Sequence, residues 1–456
     1  MFSAMGGHSP RGVGGSPWMP KHAHRPRARI TVPTMADTDR PNTDVEQTGD
    51  ITYALARNDY PEVIALVREA ITADPQAALN DPVINSWLGR RYRNIFLEEA
   101  VSNPDVVKNS QAPFPISLVD PRSSREKVAK RMISNISDEE ITEELPPAEP
   151  SGFANTTLVF APGLLTGLLP NLAFQSVWPK LINRFRVKIA VTDSHPMRST
   201  EANVADLENV IEHGVGVSPI DASFITADLN PVPPGDIVLM GYSKGAPDIL
   251  TLLARRPDLA PRVRAVIGWA GAVRGSYLAN GIYDQIKDIP AFDTVEAMSG
   301  DIGKLMLRLA PVIQINNVNR RLDEYDIKGA IRSLTTTYRE EFLEENGADI
   351  EALGIPMFNF TGSTHLMEVP YYQRQGTLEL LKYDKYNDMQ LTQEQAKLPA
   401  ANAPHLSMFH ANHWDLSYDT FPWYTTLGST KLKDPFAREA AMAAILLLMS
   451  EIGIMD

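Results

Sequence analysis

The 456-residue chain contains no cysteine. That absence excludes disulfides, thiolate metal sites and a cysteine nucleophile, so covalent chemistry would have to come from another side chain. Long apolar runs are missing as well. The most apolar stretch, Ala440 to Met449, falls far short of the roughly 18 residues of a membrane span, and Arg438 and Glu439 sit at its start. Nor is there an excess of positive charge: 43 basic residues face 56 acidic ones, for a net charge of -13. Such a chain is not expected to bind nucleic acid through its phosphates. No apolar leader is visible, so a secretory signal is not expected, and with no membrane span the cytoplasm is the expected location.

What is present is ample material for a large folded core, with 43% hydrophobic residues and a mean hydropathy of -0.19. Residues 1–36 stand apart, with Arg11, Lys21, Arg25, Arg27 and Arg29 among many Gly, Pro and Ser residues and no acidic residue. We assign 1–50 to a disordered basic and polar tail, and Met35, just ahead of Ala36-Asp37-Thr38-Asp39, is the expected translation start. From Ile51 to Asn103 the apolar spacing is helical, broken by Pro75 and Pro82, and a second charged helical stretch runs from Asp120 to Glu144. Residues 51–150 are therefore an expected helical accessory region. One reading makes them a surface for a protein partner, the other simply packs them on the main domain.

After Pro150 the pattern changes to short apolar strands separated by helix-length segments. Thr157–Ala161, Val187–Val191, Asp236–Tyr242, Ala265–Trp269, Pro356–Phe360 and Leu406–His410 read as strands, and Glu201 to Glu212 as a helix. This alternation predicts an α/β domain over 151–456, with a mainly parallel sheet covered on both faces and ligands at the carboxyl ends of its strands. The last helix is expected to begin with Asp434 as N-cap and Pro435 as its first residue.

At the end of the third of these strands stands Gly241-Tyr242-Ser243-Lys244-Gly245, a G-x-S-x-G sequence between strand and helix. A serine on so sharp a turn needs a strained backbone, and the flanking glycines let neighbouring segments pass. Ser243 would project above the sheet, and the helix N-terminus behind it would offer the Lys244 N–H to an oxyanion. Serine needs a base and an acid to orient that base, in the chain order Ser, Asp or Glu, His. Of His365, His405, His410 and His413, the last is best placed, in the loop just past the final strand, whereas His410 lies within the strand. Glu368, Asp384 and Asp388 all follow the preceding strand, and loop position alone leaves the three open.

The stretch Tyr386-Asn387-Asp388-Met389-Gln390-Leu391-Thr392 and, twenty-five residues after Asp388, Asn412-His413-Trp414-Asp415 resemble the N-D-G-L-V and N-H-L-D segments of the bacterial triacylglycerol lipases. Ala161-Pro162-Gly163-Leu164 is similar to that family's A-H-G-M oxyanion loop, and Leu334-Thr335-Thr336 to its L-T-T. The resemblance covers roughly residues 155 to 425 through scattered motifs. It implies the α/β-hydrolase fold and a triad of Ser243, Asp388 and His413, with the backbone N–H groups of Leu164 and Lys244 as oxyanion donors. The chain departs from the family at Tyr242 and Lys244, where the elbow has His before and often after the serine. It departs also at Pro162 for the oxyanion-loop histidine and at Met389 for the glycine after the acid. In the family an aspartate matching Asp415 binds calcium, and Glu368 and Asp419 would be its companions here; the expectation is instead that Asp415 caps or pairs locally. No cofactor and no metal are expected.

Residues 274–353 exceed what a crossover needs and include the apolar segment Gly303–Ile313, expected to form a lid or cap over an acyl site. The expected activity is that of a lipase-like or esterase-like serine hydrolase acting on a small ester or lipid. Two alternatives remain: an acyltransferase on the same triad, and a non-catalytic scaffold of the same fold. A histidine base must be neutral, so turnover should fall on acidification across about pH 8 to 5, where an unperturbed histidine changes charge. A flat pH-rate profile over that range would contradict the assignment.

Overall fold

The computed structural model describes residues 43–111, 117, 119–150, 152–289, 320–400, 403–421 and 436–455. Its centre is an eight-stranded sheet in the order β4-β3-β2-β1-β5-β6-β7-β8. The strands are β1 (Thr156–Ala161), β2 (Lys188–Val191), β3 (Gly216–Val217), β4 (Phe224–Ile225), β5 (Asp236–Tyr242), β6 (Val263–Trp269), β7 (Met357–Ser363) and β8 (His405–His410). β1, β2 and β5 to β8 are parallel, as their apolar runs predict. β3 and β4 are antiparallel additions at one edge. At two residues each, they are too short to leave a periodicity in the sequence.

The helices among the described residues are α1 (Thr43–Ala56), α2 (Tyr60–Ala73), α3 (Pro75–Asn80), α4 (Pro82–Val101), α5 (Pro104–Asn109), α6 (Ser124–Met132), α7 (Asp138–Thr142), α8 (Trp178–Phe185), α9 (Thr200–His213), α10 (Gly245–Arg255), α11 (Tyr277–Ile286), α12 (Ile327–Arg332), α13 (Thr336–Ala352), α14 (Arg374–Leu380) and α15 (Arg438–Glu451). Their starts follow local chemistry. Asp74 and Asp81 cap α3 and α4 ahead of Pro75 and Pro82, and Ser123 with Glu126 forms a reciprocal capping box on α6.

Three expectations change. The first helix begins at Thr43, inside the stretch assigned to the tail. The last begins at Arg438 with Ala437 as N-cap, while Asp434 and Pro435 lie outside the described residues. Within the expected insertion, α13 is the crossover helix between β6 and β7: its Ile350 shares a core with Ile249, Leu253, Val266 and Met357. The Gly303–Ile313 segment lies outside the described residues.

The region 51–150 is built into the body of the fold. A single core joins Ile51, Val67, Trp87 and Phe96 of the N-terminal helices to Phe360, Phe409 and the almost wholly buried α15. Tyr92 packs edge-on to Phe360 at 4.7 Å and Phe96 to Phe409 at 5.2 Å. Ile133 bridges antiparallel to Phe409 and the Ser134 N–H donates to the Met408 carbonyl at 2.8 Å, which covers the edge that β8 would otherwise leave unpaired. Deep in this contact Arg91, with no exposed side-chain surface, pairs with Glu451 at 2.5 Å and donates to the Pro146 carbonyl.

Breaking a buried ion pair strands a charge, whereas replacing both partners with apolar groups need not. Glu451→Ala is therefore expected to lower the unfolding free energy by roughly 3–5 kcal/mol, and Arg91→Met with Glu451→Leu to recover most of it. Urea titration of the three proteins checks this. Equal loss in the single and double variants would mean that packing, not the charge, holds these helices.

Candidate active site

β1 and β5 are neighbours in register, with Phe160 beside Met240 and Ala161 beside Gly241. The chain proceeds from β1 outward to β2 on one side and later returns to place β5 on the other. Their carboxyl ends therefore flank a topological switch point, where such sheets bind ligands. The loop Pro162–Leu164 leaves β1 there, and Ser243 leaves β5.

Ser243 has a left-handed backbone, φ 52°, and is half-buried between buried neighbours. Its strain is held by three backbone bonds. The Ser243 N–H donates to the Trp269 carbonyl at 3.3 Å, and its own carbonyl accepts from Ala272 at 2.9 Å and Ala246 at 3.2 Å. Glycines are required by close approach. A Cβ on Gly241 would lie 2.5 Å from the Ala246 backbone, one on Gly245 would collide with the Ala161 carbonyl, and one on Gly163 would lie 2.8 Å from the Ser243 Cβ. Gly163 thus brings the loop after β1 against the serine. Lys244 is the N-cap of α10. Neither its N–H nor that of Leu164 has an acceptor among the described residues, which leaves two donors at this corner.

The Lys244 side chain turns into the protein. Fully buried, its ammonium pairs at 2.6 Å with the equally buried Asp248, one turn on, whose other oxygen accepts from Asn203 at 3.0 Å. Burial lowers the Lys244 pKa, and the adjacent Asp248 charge opposes that shift.

His413 is gripped from three directions. Its Nδ1 lies 2.6 Å from Asp388 Oδ2, its N–H donates to the Asp388 carbonyl at 2.7 Å, and its carbonyl accepts from the Tyr242 hydroxyl at 2.9 Å. The Tyr242 ring also stacks on the imidazole, 5.1 Å between centroids. Asn412 shapes the turn by accepting from the Trp414 and Asp415 N–H groups. In the neutral ring a proton on Nδ1, toward Asp388, leaves the lone pair on Nε2, which is buried and has no partner among the described residues. Asp388 Oδ1 accepts from the Gln390 and Leu391 N–H groups at 2.9 and 2.7 Å, so the carboxylate is orientated at both oxygens.

The rival residues are engaged elsewhere. His410 Nε2 lies 2.8 Å from Glu368, His405 Nε2 lies 2.8 Å from the Thr361 hydroxyl, and His365 is exposed. Asp384 accepts from the Tyr386 and Gln393 N–H groups. Asp415 accepts from the Asn412 amide at 2.7 Å, and Asp419 accepts from Ser176 and pairs with Arg438. Among the described residues no three His, Asp or Glu side chains gather as a metal site. The serine-proximal part of the site that sequence reading missed is Tyr242, visible there only as a departure from the family spelling.

No family model matches the chain, and no curated protein sequence matches it. Solved structures do. A metagenomic carboxyl esterase, MGS0156, superposes with TM-score 0.50 at 22% identity, over 72% of this chain and 84% of the other. The chain has the α/β-hydrolase fold. Two further structures with lower scores are the Staphylococcus hyicus lipase, TM-score 0.40 at 12% identity over 68% of this chain and 99% of its own, and the mature Bacillus licheniformis lipase BlEst2, TM-score 0.37 at 17% identity over 60% and 88%. No described helix is long and apolar enough to cross a membrane.

Met389 stands where the resembling family has glycine, and the reason for glycine is visible: φ is 89°. Yet the side chain is fully buried. Left-handed strain in a non-glycine residue costs roughly 1–3 kcal/mol, while truncating a buried methionine costs roughly 2–5 kcal/mol. Met389→Gly is therefore expected to destabilise by roughly 1–3 kcal/mol in a chemical denaturation experiment. A more stable variant would show that the strain outweighs the packing.

Proposed function

We propose that the protein is a serine hydrolase of carboxylic esters, with Ser243 as nucleophile, His413 as general base, Asp388 as its orienting acid, and the Leu164 and Lys244 N–H groups as the oxyanion hole. The observation that carries this reading is the buried Asp388–His413 pair at 2.6 Å, held by the hydroxyl of Tyr242, the residue next to a serine with φ 52°. A buried histidine held this tightly, with its remaining nitrogen unpartnered, fits a base that must keep one tautomer and one direction. The carboxyl esterase with the same fold agrees with an ester substrate.

The mechanism then follows. Nε2 of His413 takes the Ser243 hydroxyl proton as the oxygen attacks the ester carbonyl. Asp388 stabilises the imidazolium through Nδ1–H without taking its proton. The negative oxygen of the tetrahedral intermediate accepts from the two backbone N–H groups at the switch point. The imidazolium next protonates the leaving alcohol, and the acyl-enzyme forms. Water, deprotonated by the same Nε2, releases the acid and restores the serine. Each half-reaction conserves one shuttled proton and needs no cofactor.

Purified protein is expected to hydrolyse p-nitrophenyl esters and to be labelled at Ser243 by a fluorophosphonate. Ser243→Ala should lose labelling and at least about a thousandfold in kcat, because triad members act as a unit. Asp388→Asn should keep the serine but drop kcat comparably. Turnover that survives Ser243→Ala would overturn the proposal.

A further inference from the structure

The Lys244 N–H shares one peptide unit with the Ser243 carbonyl. Because such a unit is planar and trans, its C=O and N–H point in opposite directions, so whatever fixes the carbonyl also aims the donor. The Ser243 carbonyl accepts from the Ala272 and Ala246 N–H groups at 2.9 and 3.2 Å. Ala272 belongs to the segment after β6, and Ala246 to the first turn of α10. The hold on those two segments therefore sets the direction of the donor.

Two fully buried cations supply that hold. On α10, Lys244 and Asp248 are joined twice: the Asp248 N–H donates to the Lys244 carbonyl at 3.1 Å, and the Lys244 ammonium reaches Asp248 Oδ1 at 2.6 Å. Asp248 Oδ2 accepts from Asn203 of α9 at 3.0 Å, and Asn203 in turn accepts from the Arg198 Nε–H at 3.3 Å, so the pair is tied to a second helix. On α13, Arg339 has no exposed surface. Its Nε–H donates at 3.0 Å to the carbonyl of Val273, the residue after Ala272. The Ser276 N–H donates to the Leu334 carbonyl at 2.8 Å, just ahead of the same helix. The segment that grips the Ser243 carbonyl is thus carried by α13. Arg339 is costly to bury. Its guanidinium lies 4.2 Å from the centre of the Phe342 ring, but Nη1 and Nη2 are buried without a hydrogen-bond partner among the described residues. Burial pulls its pKa down to about 10, which still leaves it charged at neutral pH. Asp248 is the strongest opposing charge on it, ahead of the half-buried Glu201. Asp248 thus serves both cations. Replacing buried ionic groups by apolar ones of similar volume is often neutral or stabilising, so fold stability does not account for these three. What they have in common is the peptide between Ser243 and Lys244.

We propose that the Lys244, Asp248 and Arg339 side chains form a buried charged clamp that aims the Lys244 N–H at the oxyanion, which makes all three positioning residues for ester hydrolysis. The assignment rests on the serine hydrolase reading. It carries a specific kinetic consequence. A misdirected donor weakens the hold on the tetrahedral oxyanion but not on the planar ester, so kcat falls while KM is kept.

The full chain is tested with Arg339→Met and with the paired variant Lys244→Met, Asp248→Leu. Three quantities are read: Tm, kcat and KM for p-nitrophenyl butyrate, and Ki for 1,1,1-trifluoro-2-octanone. In that ketone the carbonyl carbon takes the Ser243 oxygen, the serine proton passes to His413 Nε2, and the carbonyl electron pair becomes a hemiketal oxyanion. Its Ki therefore reads the donor directly. Removing one oxyanion donor outright costs roughly 10²–10³ in kcat. Each variant is expected to keep Tm and KM, to lose about ten- to hundredfold in kcat, and to bind the trifluoroketone more weakly by a similar factor. Unchanged kcat and Ki would overturn the clamp while leaving ester hydrolysis standing. So would kcat, KM and Ki that worsen only in step with a lowered Tm, the mark of groups that merely hold the fold. If the paired variant does not fold, Arg339→Met decides on the same criteria. If neither folds, Asn203→Ala decides, since it loosens Asp248 without removing a charge: a loss of about three- to tenfold in kcat at constant KM is expected, and none overturns the clamp. An unaltered protein that turns over no ester and takes no fluorophosphonate at Ser243 would mean that the hydrolase reading has failed, and the clamp falls with it.

Discussion

The left-handed backbone at Ser243 is the constraint from which the rest of the site follows. A residue other than glycine holds φ 52° only when its surroundings over-determine it. Here they do so through three backbone hydrogen bonds to β6, the segment after it and α10, and through packing too close to admit a Cβ at Gly163, Gly241 or Gly245. The same closeness that demands glycine brings the loop after β1 and the start of α10 to the serine, with the Leu164 and Lys244 N–H groups lacking an acceptor among the described residues. Strain, glycine spacing and free donors are one arrangement seen three ways.

Polar groups around this corner are buried and arranged in layers. Asp388 and His413 lie on one side of β5, and Lys244, Asp248 and Asn203 lie under the first turn of α10. A buried ammonium at the positive end of a helix is unfavourable on its own, since the backbone N–H groups there already carry partial positive charge. Asp248 within the same turn offsets it. Tyr242 ties the elbow to the loop after β8: its buried ring stacks on the imidazole, and its hydroxyl holds the His413 carbonyl. A histidine at that position, as in the resembling lipases, could not reach with the same phenolic donor.

The N-terminal helices belong to the same physical unit as the sheet. α4 places Tyr92 and Phe96 against β7 and β8, and Arg91 against the end of α15. Removing residues 1–150 would therefore expose an aromatic core face and the β8 edge, so loss of turnover on such a truncation would report unfolding and not a lost partner. The composition of 51–150, helical and charged, could not distinguish a separate module from a built-in layer, because both bury one helical face; only the identity of what is buried against it decides.

Local chemistry was legible along the chain. Apolar runs marked six of the eight strands, Pro75, Pro82 and their preceding aspartates marked helix starts, and G-x-S-x-G at a strand end marked the elbow, since each depends on residues adjacent in sequence. His413 could be preferred from its position after the last strand. Asp388 could not be separated from Glu368 and Asp384 without a resemblance, because all three sit in one stretch of loop and differ only in what they meet. The fold sends Glu368 to His410, Asp384 to its own loop and Asp388 to His413. The strain at Met389, the grip of Tyr242 on His413 and the pairing of Arg91 with Glu451 likewise join residues far apart in the chain or set a backbone angle that no side-chain pattern encodes. By itself the sequence determined most of the secondary structure and the turn that carries Ser243, which are local; the pairing of Asp388 with His413, the burial of that pair and the integration of the N-terminal helices were decided by tertiary structure, because each is a contact between segments that only packing brings together.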